Sequence, residues 1–318
     1  MKHYDKFVSA AEAVQCIQTG NRVFLHGSAA TPITLIEAMQ NRYAELKNVE
    51  LVSITNLGDV DFNKPEHRKS FFFNSLFVSA NTRAVANSND GDYVPIFLSE
   101  IPQLFRKSIL PIDVALIQVS PPDAHGYCSL GTSVDIARSA VDTAKIVVAQ
   151  VNPNMPRTHG DGFLHISKIN ALVWDESKLP EVDYSKKVSG SVEKIGSNVA
   201  SLIEDGACLQ MGIGVIPDQV LKNLDNHKNL GLHTEMLSDG VIPLLENGVD
   251  VFIRFNEGLS ILKKVVSVET GQSESILMPE SKRFDRLVSS RKPFALETTF
   301  KGKATKLTGD VLIYRNGG

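Results

Sequence analysis

The sequence predicts an α/β protein of two related halves, each an open, mainly parallel sheet with helices packed against it. Short runs rich in β-branched residues alternate with stretches of helical periodicity along much of the chain. The order helix, glycine, strand, glycine-containing turn, proline, helix, asparagine, strand occurs twice. A chain of 318 residues is also long enough for two domains of roughly 100–200 residues each.

The first copy has clear signals for where its helices begin. Ser9 and Glu12 have the spacing of a capping box, and Thr31 with Pro32 predicts an N-cap followed by a first helical residue. The predicted elements are a helix over residues 9–18, a strand over 22–26, a helix from Thr31 to about residue 46 and a strand over 49–55.

The second copy and the segment between the copies follow the same alternation. The second copy is predicted to hold a helix over about residues 191–204, a strand over 207–211, a helix through Pro217 to residue 224 and a strand over 230–234. Between the copies we predict strands over residues 114–119 and 145–151, with a helix over 135–144. A polar linker over about residues 175–189, which contains Pro180, marks the boundary between two domains.

Composition argues against several classes of function. The net charge of −3 disfavours non-specific binding of nucleic acid, which needs a concentrated basic surface. Apolar runs such as residues 114–119 fall far short of the roughly 20 residues of a membrane span. The amino-terminal residues have no apolar core of signal-peptide length, and Cys16, Cys128 and Cys208 suit neither a disulfide framework nor a zinc site. We therefore expect a cytoplasmic protein that needs neither a membrane nor nucleic acid.

The first candidate for chemistry is Glu235. In register with the first copy it falls at the position of Ile54, where the strand should emerge from the sheet. Ligands bind outside the carboxyl ends of parallel strands, and packing alone does not account for a carboxylate at this position. A solvated glutamate at a strand end is an equally good interpretation from the residues alone. His233 shares a strand face with Glu235 and could orient the carboxylate, although a packing role is the more common one.

The turn Gly212-Ile213-Gly214 lies between a predicted strand and a predicted helix. Glycines let the backbone approach a ligand closely, and a helix amino terminus favours anionic groups. A tight turn without a ligand is the ordinary alternative. The third glycine of a dinucleotide fingerprint is missing, and no acidic residue ends the next strand, so NAD binding is disfavoured.

Two segments of the first half are weaker candidates. The loop over residues 120–127, SPPDAHGY, directly follows a strand and could form a wall of a site, or could be a plain connection. Asn81-Thr82-Arg83 could present a guanidinium to a carboxylate or a phosphate, although an isolated arginine is more often a surface residue.

These motifs together resemble the acetyl-CoA hydrolase/transferase family, and within it the 4-hydroxybutyrate CoA-transferases. The likeness extends over about residues 5–248. The stretches that carry it are QMGIGVIPD at residues 210–218, HTEM at 233–236, SDGV at 238–241, NTR at 81–83 and SPPDAHGY at 120–127.

The resemblance implies a CoA-transferase-like fold and covalent catalysis by Glu235. Glu235 would attack an acyl-CoA and pass through an anhydride to a glutamyl-CoA thioester, which the acceptor carboxylate then attacks. The residues implied to contact coenzyme A are Gly212, Ile213, Gly214, Val215 and Ile216. Coenzyme A thioesters and short-chain acids such as acetate, butyrate or 4-hydroxybutyrate would be the substrates, with no metal and no permanently bound cofactor.

The likeness ends at about Asp250, and no stretch downstream resembles the GQVN motif expected in the family. We therefore expect a second half that is shortened or altered. The predicted division is an amino-terminal CoA-transferase domain over residues 1–180, the start of a second domain over 189–249 and a divergent segment over 250–318 with strands at 294–300 and 311–314. Apolar surface left exposed in the second half would favour a homo-oligomer.

Three alternatives to CoA transfer stay open at this point. One is hydrolysis of acetyl-CoA, in which water intercepts an intermediate at Glu235. The second is an inactive protein that only binds coenzyme A. The third, a sugar-phosphate isomerase on a similar scaffold, needs basic residues at the glycine-containing turns, and residues 27–32 and 212–217 contain none.

Overall fold

The computed structural model describes residues 7–182, 188–234, 236 and 240–246, together with the backbone of five strands between residues 251 and 315. The chain divides into two compact units, Met1–Glu181 and Val182–Gly318. This division falls within the linker predicted over residues 175–189. No helix in the described part of the chain has both the length and the apolar character needed to span a bilayer.

The first unit is built on a seven-stranded sheet in which every neighbouring pair is parallel. The strands, in their order across the sheet, are β4 (Gly91–Tyr93), β3 (Phe71–Ser75), β2 (Val49–Ser53), β1 (Arg22–Leu25), β5 (Val114–Val119), β7 (Ile146–Val151) and β9 (Ala171–Trp174). A separate antiparallel pair consists of β6 (Tyr127–Ser129) and β8 (Phe163–His165). The prediction of an α/β protein with a parallel sheet is confirmed.

Helices cover both faces of this sheet, which is why its central strands consist of apolar runs. The helices of the first unit are α1 (Ala10–Ala13), α2 (Ile33–Gln40), α3 (Arg83–Ala86), α4 (Ile101–Arg106) and α5 (Ala137–Thr143). Residues of α4 and α5 pack with Phe24 in one buried cluster. Residues of α1 and α2 pack with Val23 and Leu25 in the other. Alternate residues of β1 thus belong to opposite cores, as the geometry of a strand requires.

The predicted helix starts had different outcomes. Ser9 is the N-cap of α1, and its Oγ accepts a hydrogen bond from the Glu12 amide at 3.2 Å. Thr31 was predicted as an N-cap, and this was wrong: α2 begins at Ile33 with Pro32 in the cap position. The Thr31 hydroxyl instead donates to the Ser28 carbonyl at 2.7 Å and accepts from the Leu57 amide at 3.1 Å. The side chain therefore ties two loops together instead of capping a helix.

The second unit has a smaller parallel sheet in the order β10 (Cys208–Leu209), β11 (Leu230–His233) and β12 (Val251–Arg254). Its helices are α6 (Gly190–Ala200), α7 (Val215–Leu221) and α8 (Val241–Glu246). Buried side chains of these helices and of β11, among them Leu221 and Leu232, form its core. Beyond residue 254, β13 (Leu259–Leu262) pairs with β16 (Leu312–Arg315) and β14 (Phe294–Phe300) with β15 (Lys303–Gly309). The strand predicted at residues 294–300 coincides with β14, and the one predicted at 311–314 overlaps β16.

The two copies agree in backbone geometry as well as in element order. A glycine with positive φ precedes the first strand of each copy, Gly20 at 79° and Gly206 at 81°. The Gly20 amide donates to the Lys47 carbonyl at 2.9 Å, and the Gly206 amide donates to the Lys228 carbonyl at 2.8 Å. Both lysines lie just before the second strand of their copy. The turns around the two strands therefore close in the same way.

Strand register extends this agreement to individual residues. An asparagine with positive φ precedes the second strand in both copies, Asn48 at 51° and Asn229 at 55°. The paired residues that correspond are Arg22 and Glu50 in the first unit and Cys208 and Gly231 in the second. Counting along the strands from these pairs makes Ser53 equivalent to Thr234 and Leu25 equivalent to Met211. The two halves are therefore related, as the sequence predicted.

Candidate functional site

The turn between β10 and α7 holds the residues predicted to contact coenzyme A. Gly214 is the N-cap residue of α7 with φ 120°, a value that favours glycine, and no atom lies within 4 Å of where its Cβ would be. The side chains of Ile213 and Ile216 are 48% and 44% exposed. The helix begins at Val215, two residues before Pro217. An exposed turn with open space at its glycine leaves the backbone accessible to a ligand.

Thr234, at the end of β11, connects this turn to the segment that carries the predicted nucleophile. Its side chain is completely buried. The Thr234 Oγ1 accepts a hydrogen bond from the Met211 amide at 3.1 Å and lies 2.9 Å from the Met211 carbonyl oxygen. Gly212 follows Met211, and Glu235 follows Thr234. These bonds therefore hold close together the two residues that precede the predicted site segments. Glu235 itself and the side chain of His233 lie outside the described residues, and their roles stay predictions.

The equivalent place in the first unit is filled by packing. Ser53 Oγ donates to the Leu25 carbonyl at 3.0 Å, which matches the bond from Thr234 to Met211. The next residue, Ile54, is buried, and a Cβ on Gly27 would lie only 2.9 Å from its Cγ1. In the second copy Ile213 occupies the place of Gly27. The close contact between Ile54 and Gly27 therefore cannot form in the second copy, which lacks the glycine.

The loop over residues 120–127 is held in one shape by Asp123. Its carboxylate accepts hydrogen bonds from the backbone amides of His125 and Tyr127, both at 2.9 Å, and lies 2.6 Å from an Arg157 guanidinium nitrogen. The bond from the Tyr127 amide is the main cause that holds the pKa of Asp123 below its ordinary value. Arg157 also donates to the Tyr127 carbonyl at 2.8 Å and lies over the Phe163 ring. These contacts link the second half of the loop, from Asp123 to Tyr127, to Arg157.

The segment Asn81-Thr82-Arg83 begins α3 in the first unit. The Asn81 side chain accepts from Ser79 Oγ at 2.6 Å, and Thr82 is buried with its hydroxyl accepting from the Ser79 amide at 2.9 Å. Arg83 is exposed. The first two residues therefore build the turn, and the exposed arginine side chain is available to a ligand.

Sequence reasoning missed a group of buried polar residues at the carboxyl ends of β1, β5 and β7. His26 Nδ1 accepts from the Gln118 amide at 3.2 Å, and His26 Nε2 donates to the Ser133 carbonyl at 2.6 Å. The Gln118 side chain bonds to Gln150 and to Asn152 at 3.1 and 2.8 Å. The strand order reverses between β1 and β5, the place where open α/β sheets bind ligands. A polar residue that ends an otherwise apolar strand is the signal that could have identified the group.

We expect His26 to make stability depend on pH. Complete burial lowers the pKa of His26, while its hydrogen bond to the Ser133 carbonyl acts in the opposite direction. The unfolded chain gains a proton at this side chain below about pH 6.5, and the folded chain resists it. The free energy of unfolding should therefore fall as pH drops from about 6.5 toward 5, by up to about 1.4 kcal/mol per pH unit for one proton.

Urea titrations at several pH values would measure this slope. His26→Gln should flatten it, and His125→Gln, at an exposed histidine, should keep the wild-type slope. His67 and His159 have pKa values lowered by burial and contribute in the same direction, so the slope should diminish without vanishing. An equal slope in wild type and His26→Gln would contradict the prediction.

Among the described residues, no group of three or more histidine, cysteine, aspartate or glutamate side chains is arranged to hold a metal ion.

Residues 1–182 match the acetyl-CoA hydrolase/transferase N-terminal domain. The chain belongs to the acetyl-CoA hydrolase/transferase family.

Curated members of the family are similar to this chain over much of its length. It is 46% identical over 246 residues to 4-hydroxybutyrate coenzyme A transferase of Clostridium kluyveri, covering 77% of this chain and 57% of that one. It is 47% identical over 236 residues to succinyl-CoA:acetate/propanoyl-CoA:succinate CoA transferase of Fasciola hepatica, covering 73% and 48%. The chain thus spans about half the length of these relatives.

Solved structures of other proteins share the fold of this acetyl-CoA hydrolase/transferase family member. RipA from Yersinia pestis is 31% identical with a TM-score of 0.71, covering 77% of this chain and 59% of that one. A 4-hydroxybutyrate CoA-transferase from Porphyromonas gingivalis is 34% identical with a TM-score of 0.65, covering 79% and 59%.

Proposed function

We propose that this protein transfers coenzyme A between carboxylic acids through a thioester on Glu235. The observation that carries the proposal is the pairing of Thr234 with Met211, which joins the strand end before Glu235 to the exposed turn at Gly212. The related copy has a buried isoleucine in the position of Glu235, so the carboxylate is not needed for packing. The similarity to CoA transferases supports the same reaction class.

The reaction would begin with attack of a Glu235 carboxylate oxygen on the thioester carbon of an acyl-CoA. The carbon–sulfur bond breaks, and coenzyme A leaves as a thiolate from an acyl-glutamyl anhydride. The thiolate then attacks the glutamyl carbonyl, releasing the first acid as a carboxylate and leaving a glutamyl-CoA thioester. The acceptor carboxylate repeats these steps in reverse order, which forms the new acyl-CoA and restores Glu235. Covalent catalysis divides one difficult exchange into easier ones.

The turn that holds Gly212, Ile213, Gly214, Val215 and Ile216 would contact coenzyme A. Its accessible backbone amides would donate hydrogen bonds to the oxyanions that form during each attack. One such donor is worth about 2.7–4 kcal/mol of transition-state stabilisation where it has been measured in other enzymes. The exposed side chains of Ile213 and Ile216 would pack against the apolar parts of the ligand.

The proposed substrates are short-chain acids and their coenzyme A thioesters. The relatives are named for 4-hydroxybutyrate, for succinate with acetate or propanoate, and for butyrate with acetate. Coenzyme A is thus a substrate and not a resident cofactor. A cytoplasmic location, which suits the three free cysteines, and assembly into a homo-oligomer are further parts of the proposal.

The test is to trap the thioester. The 318-residue chain is incubated with acetyl-CoA, reduced with sodium borohydride, digested and analysed by mass spectrometry. A glutamyl thioester is reduced to an alcohol, so the peptide that contains Glu235 should lose roughly 14 Da, as covalent catalysis through that carboxylate requires. In parallel, isotope-labelled acetate should enter the acetyl-CoA pool. Release of free coenzyme A without this exchange would indicate the hydrolase. Binding of coenzyme A with neither trapping nor exchange would overturn the enzymatic proposal.

A further inference from the structure

The Thr234 hydroxyl makes contacts on both sides of residue 235. Besides the Met211 amide and carbonyl, its Oγ1 lies 2.9 Å from the Met236 carbonyl oxygen. Met236 follows Glu235 directly. A single buried side chain therefore holds the backbone before and after the predicted nucleophile.

The hydrogen-bonding capacity of a hydroxyl explains how this arrangement works. A threonine has one proton to donate and two lone pairs to accept with. It can accept from the Met211 amide while its proton goes to the carbonyl of either Met211 or Met236, both at the same distance. In both states the hydroxyl stays on the turn that precedes Gly212. When the proton goes to Met236, the hydroxyl connects the turn to the chain beyond residue 235, because it still accepts from the Met211 amide. When the proton goes to Met211, the hydroxyl bonds to the turn alone.

Comparison with the first copy shows which contacts of the Thr234 hydroxyl occur in both halves. Ser53, which is equivalent to Thr234, donates to the Leu25 carbonyl at 3.0 Å, so a hydroxyl that joins the two strand ends occurs in both halves. Among the described residues, Ser53 Oγ has no bond to the chain beyond Ile54. The bond across the following residue occurs only in the copy that carries a carboxylate there.

We propose that Thr234 is a positioning residue for Glu235. Its hydroxyl accepts from Met211, in the turn that would bind coenzyme A, and can donate to the Met236 carbonyl beyond the nucleophile. This inference rests on the proposed function, because it assigns Thr234 a role in presenting the carboxylate for attack. Small displacements of a reacting group are costly: a shift of about 1 Å can lower a rate by roughly a hundredfold.

Thr234→Val removes the hydroxyl and keeps the shape of the side chain. We expect it to lower the first-order rate of thioester formation at saturating acetyl-CoA by about 10- to 100-fold while KM for acetyl-CoA changes by less than about twofold. Thr234→Ser retains the hydroxyl and its hydrogen bonds and should restore the rate to within about threefold of wild type. Ser53→Ala is the matched control and should leave both rate and KM unchanged.

The outcomes separate this inference from the proposed function. If wild type forms no thioester, the proposed function fails, and the role of Thr234 fails with it. If wild type forms the thioester and Thr234→Val forms it equally fast, the function stands and the positioning role is overturned. A slow Thr234→Val that Thr234→Ser does not rescue, or an equally slow Ser53→Ala, would also overturn it. If the valine variant does not fold by circular dichroism, Thr234→Ala takes its place against the same serine rescue.

Discussion

Glu235→Gln should abolish trapping of the thioester and lower CoA transfer by at least about 10⁴-fold. An amide has the size of the carboxylate but cannot form the anhydride, and loss of a covalent nucleophile costs about 10⁶-fold in a well-studied protease. Binding of coenzyme A should persist, because the turn at Gly212 that is proposed to hold it is unchanged in sequence. Labelled-acetate exchange and equilibrium dialysis would measure the two effects separately.

The matched control for this experiment is Glu204→Gln, at an exposed glutamate of the same unit. It should keep the trapped peptide mass and the exchange rate of wild type. Normal exchange in Glu235→Gln would place the nucleophile at another residue. Loss of coenzyme A binding together with exchange would mean that Glu235 contributes to binding and would leave the covalent step unsupported.

Phe24→Ala should destabilise the first unit by about 3–5 kcal/mol, the usual cost of removing a buried aromatic ring. Phe24 is completely buried in β1, the central strand of the seven-stranded sheet. Its ring meets Phe105 of α4 edge to face at 6.1 Å, so the substitution leaves a cavity between sheet and helix. A domain is stable by only about 5–15 kcal/mol, and this loss is a large part of that margin.

Urea unfolding followed by circular dichroism would measure the loss, with Phe97→Ala as the control. Phe97 is 77% exposed, and its removal should change the free energy of unfolding by less than about 0.5 kcal/mol. Equal effects of the two substitutions would contradict the packing described for β1 and α4.

The sequence predicted the strands whose composition is dominated by burial. Runs such as β5 and β7, buried on both faces, are apolar except for one glutamine each and were identified from composition alone. Strands β3, β4 and β9 were not predicted. Gly91–Tyr93 is only three residues long and contains glycine and aspartate, and the edge of a sheet imposes little apolar pattern. Strand β4 forms because its neighbour β3 supplies hydrogen bonds, which local composition does not record.

In the candidate site, too, the sequence made some features predictable and left others hidden. Comparison of the two copies made Glu235 a candidate, because substitution of an apolar residue by a carboxylate is visible in the sequence. The hydrogen bonds of Thr234 were not visible, since a threonine at a strand end is ordinary and its partner Met211 is distant in the chain. The His26 network was missed for the same reason: its bonds join residues on separate strands. Residue identities can be compared between repeats in the sequence alone. Hydrogen-bond partners can be assigned only from the folded structure.

The position of β1 inside the sheet also has a consequence for synthesis of the chain. Its neighbours are β2, which follows closely, and β5, where Leu116 pairs with Leu25. A ribosome adds about 5–20 residues per second, so one edge of β1 waits roughly 5–20 seconds for its partner to be made. During that interval an apolar strand has a free edge, which is a site for aggregation. The growing chain is therefore open to edge-to-edge aggregation at β1 until β5 emerges.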